Sequence, residues 1–222
     1  MPDYFPAFLN LRGRRCLVVG GGPVAERKVR DLLACGAAVT LVSPSLTDGL
    51  AALVAEGRLR HRARPFRRSD LAGCALVIAA TGRPGVDSVV AREARRRRAL
   101  VNVVDRPQQC DVIMPSVLRR GELQIAVSTG GRSPALAREI RRRLEPLFAP
   151  DYGDVIEEVG RQRRRARGRA TSVTARLEAG ERLAQRALAA PSANLKGRRA
   201  RLEEVATTAC GRDGPPRPGR TP

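Results

Sequence analysis

A chain of 222 residues with 42% hydrophobic side chains can bury a core, which excludes wholesale disorder and suits one domain plus an appendage or two small domains. Its formal charge of +20 comes from 42 Lys and Arg against 22 Asp and Glu, and it is spread along the chain, net +13 over residues 1–146 and +7 over 147–222. No apolar run approaches the ~18 residues of a membrane span, a single histidine argues against His-based metal sites and Ser-His-Asp catalysis, and five cysteines without C-x-x-C spacing read as small buried hydrophobes. Asp3 and the lack of a basic-then-apolar leader predict a soluble, cytoplasmic protein. The diffuse positive field favours an anionic partner, either nucleic acid or a polycarboxylate metabolite.

In chain order, CLVVGGG (16–22) reads as a β-branched strand ending in glycines, followed by a helix over 25–36 with Val29, Leu32 and Leu33 on one face. AVTLVSPS (38–45) is a second strand, 49–56 a helix, and 57–70 a polar, Arg-rich connection. LVIAAT (76–81) and ALVNVVD (99–105) are buried strands separated by a helix at about 84–97. Strands apolar on both faces and alternating with helices predict an α/β, Rossmann-like parallel sheet over residues 1–111. Residues 112–129 read as a hairpin turning at Arg119–Gly121. Ser133-Pro134 then starts a helix with Leu136, Ile140, Leu144 and Leu147 on one stripe. The expected organisation continues with a small α+β segment over 112–148, a helical region over 149–190, and a disordered basic tail over 191–222.

The segment VVGGGPVAERK (18–28) fits G-x-G-x-x-A. Gly20 permits the strand-to-helix turn, Gly22 lets backbone approach a pyrophosphate, and Ala25 lets the helix pack closely on the sheet. The phosphates would meet the free N–H groups at the helix start. The second strand ends in Val42-Ser43-Pro44, without the carboxylate that usually holds the ribose 2′-OH. No arginine stands directly at that strand end for a 2′-phosphate, which favours NAD over NADP.

GRRCLVVGGGPVAERKVRDLL (13–33), VTLVSP (39–44), NVVD (102–105), IMPSV (113–117) and AVSTGGRSPALAREIRRRLE (126–145) occur in that order. Together they resemble the precorrin-2 dehydrogenase/sirohydrochlorin ferrochelatase family, whose module also forms the N-terminal part of siroheme synthases. The likeness covers about residues 4–148. It implies NAD-dependent oxidation of precorrin-2 to sirohydrochlorin, with Fe²⁺ then inserted as substrate in bifunctional members, and a homodimer built through residues 112–148. It also assigns the cofactor to Gly20–Val24, Pro23 included, with Ser43, Pro44 and Thr81. The family's essential aspartate falls on Asp105. A regulatory serine of the multifunctional members corresponds to Thr129, so that control is expected to be absent or altered. A methyltransferase half is not expected within these 222 residues.

Asp105 follows a buried strand and so lies at the carboxyl edge of the sheet, where such sheets place ligands. By position alone it could equally be a helix cap or an ion pair with Arg106; with the resemblance it becomes the expected proton acceptor and a transient Fe²⁺ ligand. Arg106, Arg132 and the helix start at Ser133 are expected to hold substrate carboxylates. Asp111 is a weaker second carboxylate, Cys110 is expected to be structural, and RRRR (95–98) reads as a solvated helix face. Two alternatives stand beside the bifunctional enzyme: a dehydrogenase without chelatase activity, and a dinucleotide-sensing regulator using RQRRRARGR (161–169) on nucleic acid. The second lacks aromatic stacking residues and any helix-turn-helix pattern.

Overall fold

The computed structural model describes residues 4–167 and 172–189. It divides into two compact units, one of residues up to Met114 with Ser128–Ser133, the other of Pro115–Val127 with the residues from Pro134 on.

The first unit is a five-stranded parallel sheet in the order β3-β2-β1-β4-β5, with β1 Arg15–Val19, β2 Ala38–Val42, β3 Arg60–Arg62, β4 Leu76–Ala79 and β5 Leu100–Val103. The period-2 geometry of a strand explains why its sequence is apolar throughout. On β1, Cys16 and Val18 enter the core under α1 (Pro23–Ala34) and α2 (Asp48–Ala55), while Leu17 and Val19 enter the core under α3 (Pro84–Arg96). Strand β4 divides the same way, Leu76 and Ile78 to one side and Val77 and Ala79 to the other. Helix α1 meets its core with Ala25, Val29 and Leu32, and α3 with Val90, Ala91 and Ala94. Each helix is thus a one-sided cover, and the ligand edge is left to the loops after the strands.

The polar stretch 57–70 departs from the sequence expectation. It contains β3, which pairs parallel with β2 from Thr40↔Arg60 to Val42↔Arg62, and a 3-10 turn at Arg68–Leu71. Its RHR sequence carries no apolar alternation; the strand is held by charge. The carboxylate of Asp70, with no side-chain exposure, accepts from Arg62, from Arg64 at 2.6 and 2.9 Å, and from the Arg67 N–H at 2.8 Å. Burial alone would raise its pKa, but these donors outweigh it and hold the group at about 2. A pKa depressed in the folded state stabilises above the unfolded value near 4 and is lost as pH falls toward 2, a contribution of about 2 kcal/mol. Asp70→Asn is therefore expected to lower stability by about 2 kcal/mol at neutral pH and to flatten the acid limb between pH 4 and 2, as read from denaturant midpoints against pH.

In the second unit, β6 (Ser116–Arg120) and β7 (Leu123–Val127) form the expected antiparallel hairpin. Its turn glycine, Gly121, has φ +56° and packs so closely on Gly153 that a Cβ would lie 2.9 Å from the Gly153 Cα. Helix α4 (Pro134–Leu144) begins at the proline, as expected, but Leu136, Ile140 and Leu147 of the predicted stripe remain exposed in the single chain. The helical region expected over 149–190 holds two helices, α5 (Tyr152–Arg167) and α6 (Val173–Ala189), joined by a small core of Val155, Val159 and Leu183. The Arg-rich run begins in α5, where Arg161 is taken up by Glu157 and Glu158. The run's last two residues, Cys210 and the expected tail lie outside the described residues. No helix among the described residues is long and apolar enough to cross a membrane.

Candidate active site

The loops after β1, β2, β3, β4 and β5 line one cleft of about 680 Å³ at the carboxyl edge of the sheet. Three consecutive glycines form its floor, and each has a different task. Gly20 sits at φ +124°, where a Cβ would run into the Ala80 carbonyl oxygen; Gly21 lies against the Ser45 carbonyl oxygen and the Ser43 hydroxyl. Only glycine fits either position. Gly22, the N-cap of α1, has ordinary extended backbone and nothing within 4 Å of a would-be Cβ. Its open side, the uncapped helix start and Pro23 at the first helical position form the cradle that the phosphates of a dinucleotide require.

Glu26, the acid in that first turn, is drawn sideways. It accepts from the Thr47 hydroxyl at 2.6 Å and from Arg30 at 2.7 Å, and these bonds lower its pKa. The Thr47 hydroxyl also caps α2 through the Leu50 N–H, and the Thr47 N–H donates to the Gly21 carbonyl at 3.0 Å. After β2, Ser43 is buried; its N–H donates to the Arg62 carbonyl at 3.3 Å and its own carbonyl accepts from His61 Nε2 at 2.9 Å. The lone histidine is thereby a brace for the strand end. After β4, the Thr81 hydroxyl and N–H both donate to Asp87 Oδ1, at 2.8 and 3.2 Å, which fixes the turn into α3.

Asp105 lies at the end of β5, exposed to the cleft, with φ +58°. Its carboxylate makes neither the cap nor the ion pair with Arg106 that position alone would allow. It has no hydrogen-bond or ion-pair partner among the described residues. The next residues are closely tied. Cys110 Sγ lies 3.2 Å from both the Val103 N and O and 3.3 Å from the Arg106 carbonyl, and desolvation raises its pKa, keeping it a thiol. Asn102 Nδ2 donates to the Val112 carbonyl at 2.8 Å. Asp111 is bound by Arg95 at 3.0 Å and by the Val101 N–H at 3.2 Å, so it supports the loop and does not join Asp105 as a second carboxylate.

The cleft brings together Gly20, Gly22, Pro23, Val24, Ser43, Pro44, Thr81, Asp105 and Arg106 from the sequence expectation. Arg132 and Ser133 are not in its lining. They belong to the 128–133 turn, where the Arg132 N–H donates to the Thr129 carbonyl at 3.1 Å and the Thr129 hydroxyl bonds the Ser133 backbone at 3.0 Å. Sequence reasoning missed Pro65, Phe66 and Arg83 in the cleft wall. The first two were hidden with β3; Arg83 could have been found from its place just past the strand end at Thr81. The RRRR arginines are all exposed, and Arg96 and Arg97, with Arg68 and Arg92, also surround the buried Glu93.

A glycine turn into a helix, within a five-stranded parallel sheet and opening on a cleft at its carboxyl edge, defines an NAD(P)-binding Rossmann-like protein. Comparison with known proteins narrows this. Residues 7–116 match the NAD(P)-binding family and residues 120–146 the sirohaem biosynthesis protein central family. The chain is 51% identical over 151 residues to a siroheme synthase of Methylobacillus flagellatus, covering 68% of this chain and 32% of that one. It is 41% identical over 187 residues to a siroheme synthase of Nitrosococcus oceani, covering 84% and 40%. It thus spans a third to two-fifths of the length of these curated relatives. A solved structure of SirC, a precorrin-2 dehydrogenase, superposes with a TM-score of 0.74 at 26% identity, covering 92% of this chain and all of that one. The chain is thus similar to siroheme synthases over the part of them that it spans, and to a precorrin-2 dehydrogenase over nearly its whole length.

Proposed function

We propose that this chain oxidises precorrin-2 to sirohydrochlorin with NAD⁺ and then inserts Fe²⁺ into the product. The observation that carries the reading is Asp105, a carboxylate without a hydrogen-bond or ion-pair partner among the described residues, in the same cleft as the glycine cradle, in a chain similar to siroheme synthases and a precorrin-2 dehydrogenase. The bound dinucleotide supplies the hydride acceptor. Gly22 and the first N–H groups of α1 hold its pyrophosphate, Ser43 and Pro44 border the adenosine ribose, and Thr81 borders the half nearer β4. The β2 end offers neither a carboxylate nor a basic group to the 2′ position, and the binding of NAD rather than NADP is proposed on that ground.

In the oxidation, one substrate C–H bond breaks with its electron pair leaving as hydride, and a second C–H or N–H bond breaks with its electrons staying in the substrate as the new double bond, its proton going to the Asp105 carboxylate and then to water. Arg106 holds a substrate carboxylate beside it. For the metal step, the same carboxylate takes up protons from the pyrrole nitrogens. Among the described residues no cluster of three His, Cys, Asp or Glu could hold a metal, so Fe²⁺ is proposed to pass from transient contact with Asp105 to the macrocycle. The exposed Leu136, Ile140 and Leu147 are proposed as contacts of a homodimer.

The test is an absorbance assay of purified protein with precorrin-2 and NAD⁺, then with sirohydrochlorin and Fe²⁺ in the absence of NAD⁺. NADH and sirohydrochlorin should form together in the first, and siroheme should form above the spontaneous rate in the second. Absence of NADH overturns the dehydrogenase; a background rate in the second assay leaves a dehydrogenase alone.

A further inference from the structure

Charge in the cleft is confined to one side. Its ionisable lining residues are Arg83, Asp87, Asp105 and Arg106, all following β4 or β5, whereas the walls after β1, β2 and β3 have none. Asp87 is occupied by Thr81, and Asp105 is the proposed proton acceptor. Two guanidiniums remain. That of Arg83 has no side-chain hydrogen bond or ion pair among the described residues, although many arginines of the chain are paired, such as Arg62 and Arg64 with Asp70. Its backbone is firmly held. The Arg83 N–H donates to the Thr81 hydroxyl at 3.0 Å, and its carbonyl accepts from the Asp87 N–H at 3.0 Å.

An exposed cation on a fixed backbone, in a cleft, calls for an anion. Where the anion comes from follows from the topology. The crossover lies between β1 and β4, so a dinucleotide places its adenosine half on the β2 side and its nicotinamide half on the β4 side. The nicotinamide half carries no negative charge beyond the pyrophosphate, which already faces the α1 cradle. A second anion on the β4–β5 side therefore belongs to the other substrate.

We infer that Arg83 is a substrate-binding residue, holding a carboxylate of the tetrapyrrole from the β4 side of the cleft, as Arg106 is proposed to do from the β5 side, and selecting polyanionic macrocycles. The inference rests on the function proposed above. Its test uses the full chain and Arg83→Ala and Arg83→Lys variants, with sirohydrochlorin as the probe in the absence of NAD⁺ and a separate NAD⁺ titration. Arg83→Ala should weaken sirohydrochlorin binding roughly ten- to hundredfold, as expected for loss of a bidentate charge-assisted pair. It should raise the precorrin-2 KM in step, with kcat within about a factor of two and NAD⁺ affinity unchanged. Arg83→Lys should recover part of the loss, because it keeps the charge without the fork. Unaltered sirohydrochlorin binding overturns the inference, as does a matching loss of NAD⁺ affinity, which would place the guanidinium on the pyrophosphate. If the unsubstituted chain itself fails to bind sirohydrochlorin, the proposed function fails with it; normal binding there and in Arg83→Ala removes the role of Arg83 alone.

Discussion

Replacing Asp105 with alanine should lower the rate of precorrin-2 oxidation by roughly 10²–10⁴-fold, the usual contribution of a positioned general base, while NAD⁺ binding stays as it was. The separation is expected because the carboxylate makes no hydrogen bond or ion pair with the described residues, and the cradle for the phosphates is built from the β1 loop. The backbone must be controlled for. Asp105 has φ +58°, a conformation that aspartate and asparagine accept more readily than alanine, which incurs roughly 1–2 kcal/mol of local strain there. Asp105→Asn keeps size and backbone preference and removes only the ability to take a proton. Both variants should form NADH at the same residual rate, and their melting temperatures should differ by the strain alone. An asparagine variant with the rate of the unsubstituted chain shows that the proton goes elsewhere.

Gly22→Asp should reduce NAD⁺ affinity by about two orders of magnitude without reducing stability, since like charges brought together at a binding surface cost several kcal/mol. The structure makes this a clean experiment. A side chain at Gly22 enters open space from ordinary extended backbone, whereas one at Gly21 meets the Ser45 carbonyl and the Ser43 side chain. Gly21→Ala should accordingly lower the melting temperature, and Gly22→Asp should not. The pair separates a glycine needed by the ligand from one needed by the fold. Titration of NAD⁺ quenching or heat, together with thermal melts, reads both; full affinity in Gly22→Asp places the pyrophosphate elsewhere.

The parallel sheet was legible in the sequence because its strands are buried on both faces and so are written as short apolar runs: LVV, LVIAA and LVNVV. The cleft floor was legible for a related reason, since only glycine satisfies Gly20. Strand β3 was not legible. Its residues are Arg-His-Arg, and what holds it in the sheet is a carboxylate eight residues beyond Arg62 that no periodicity marks. With it went Pro65 and Phe66, which extend from that edge into the cleft. The positions of Arg132 and Ser133 could not be read either. A serine before a proline announces a helix start correctly, as α4 does at Pro134, but says nothing of where in space that start lies. Nor could the sequence show that Asp111 is taken up by Arg95 and the Val101 N–H, because a carboxylate bound within a fold and one facing a ligand look alike in one dimension.

The corner after β5 is fastened at successive points: Asn102 to Val112, Cys110 to Val103 and Arg106, Asp111 to Val101 and Arg95. Asp105 is carried on this corner, and its side chain has no hydrogen-bond or ion-pair partner among the described residues. The proposed proton acceptor is therefore placed by main-chain carpentry instead of by a supporting residue, and the backbone that carries it is set before any ligand arrives. In the function proposed above, such a scaffold would leave both oxygens unencumbered for successive proton traffic, so that one carboxylate could serve an oxidation and then a metallation without a partner having to let go of it.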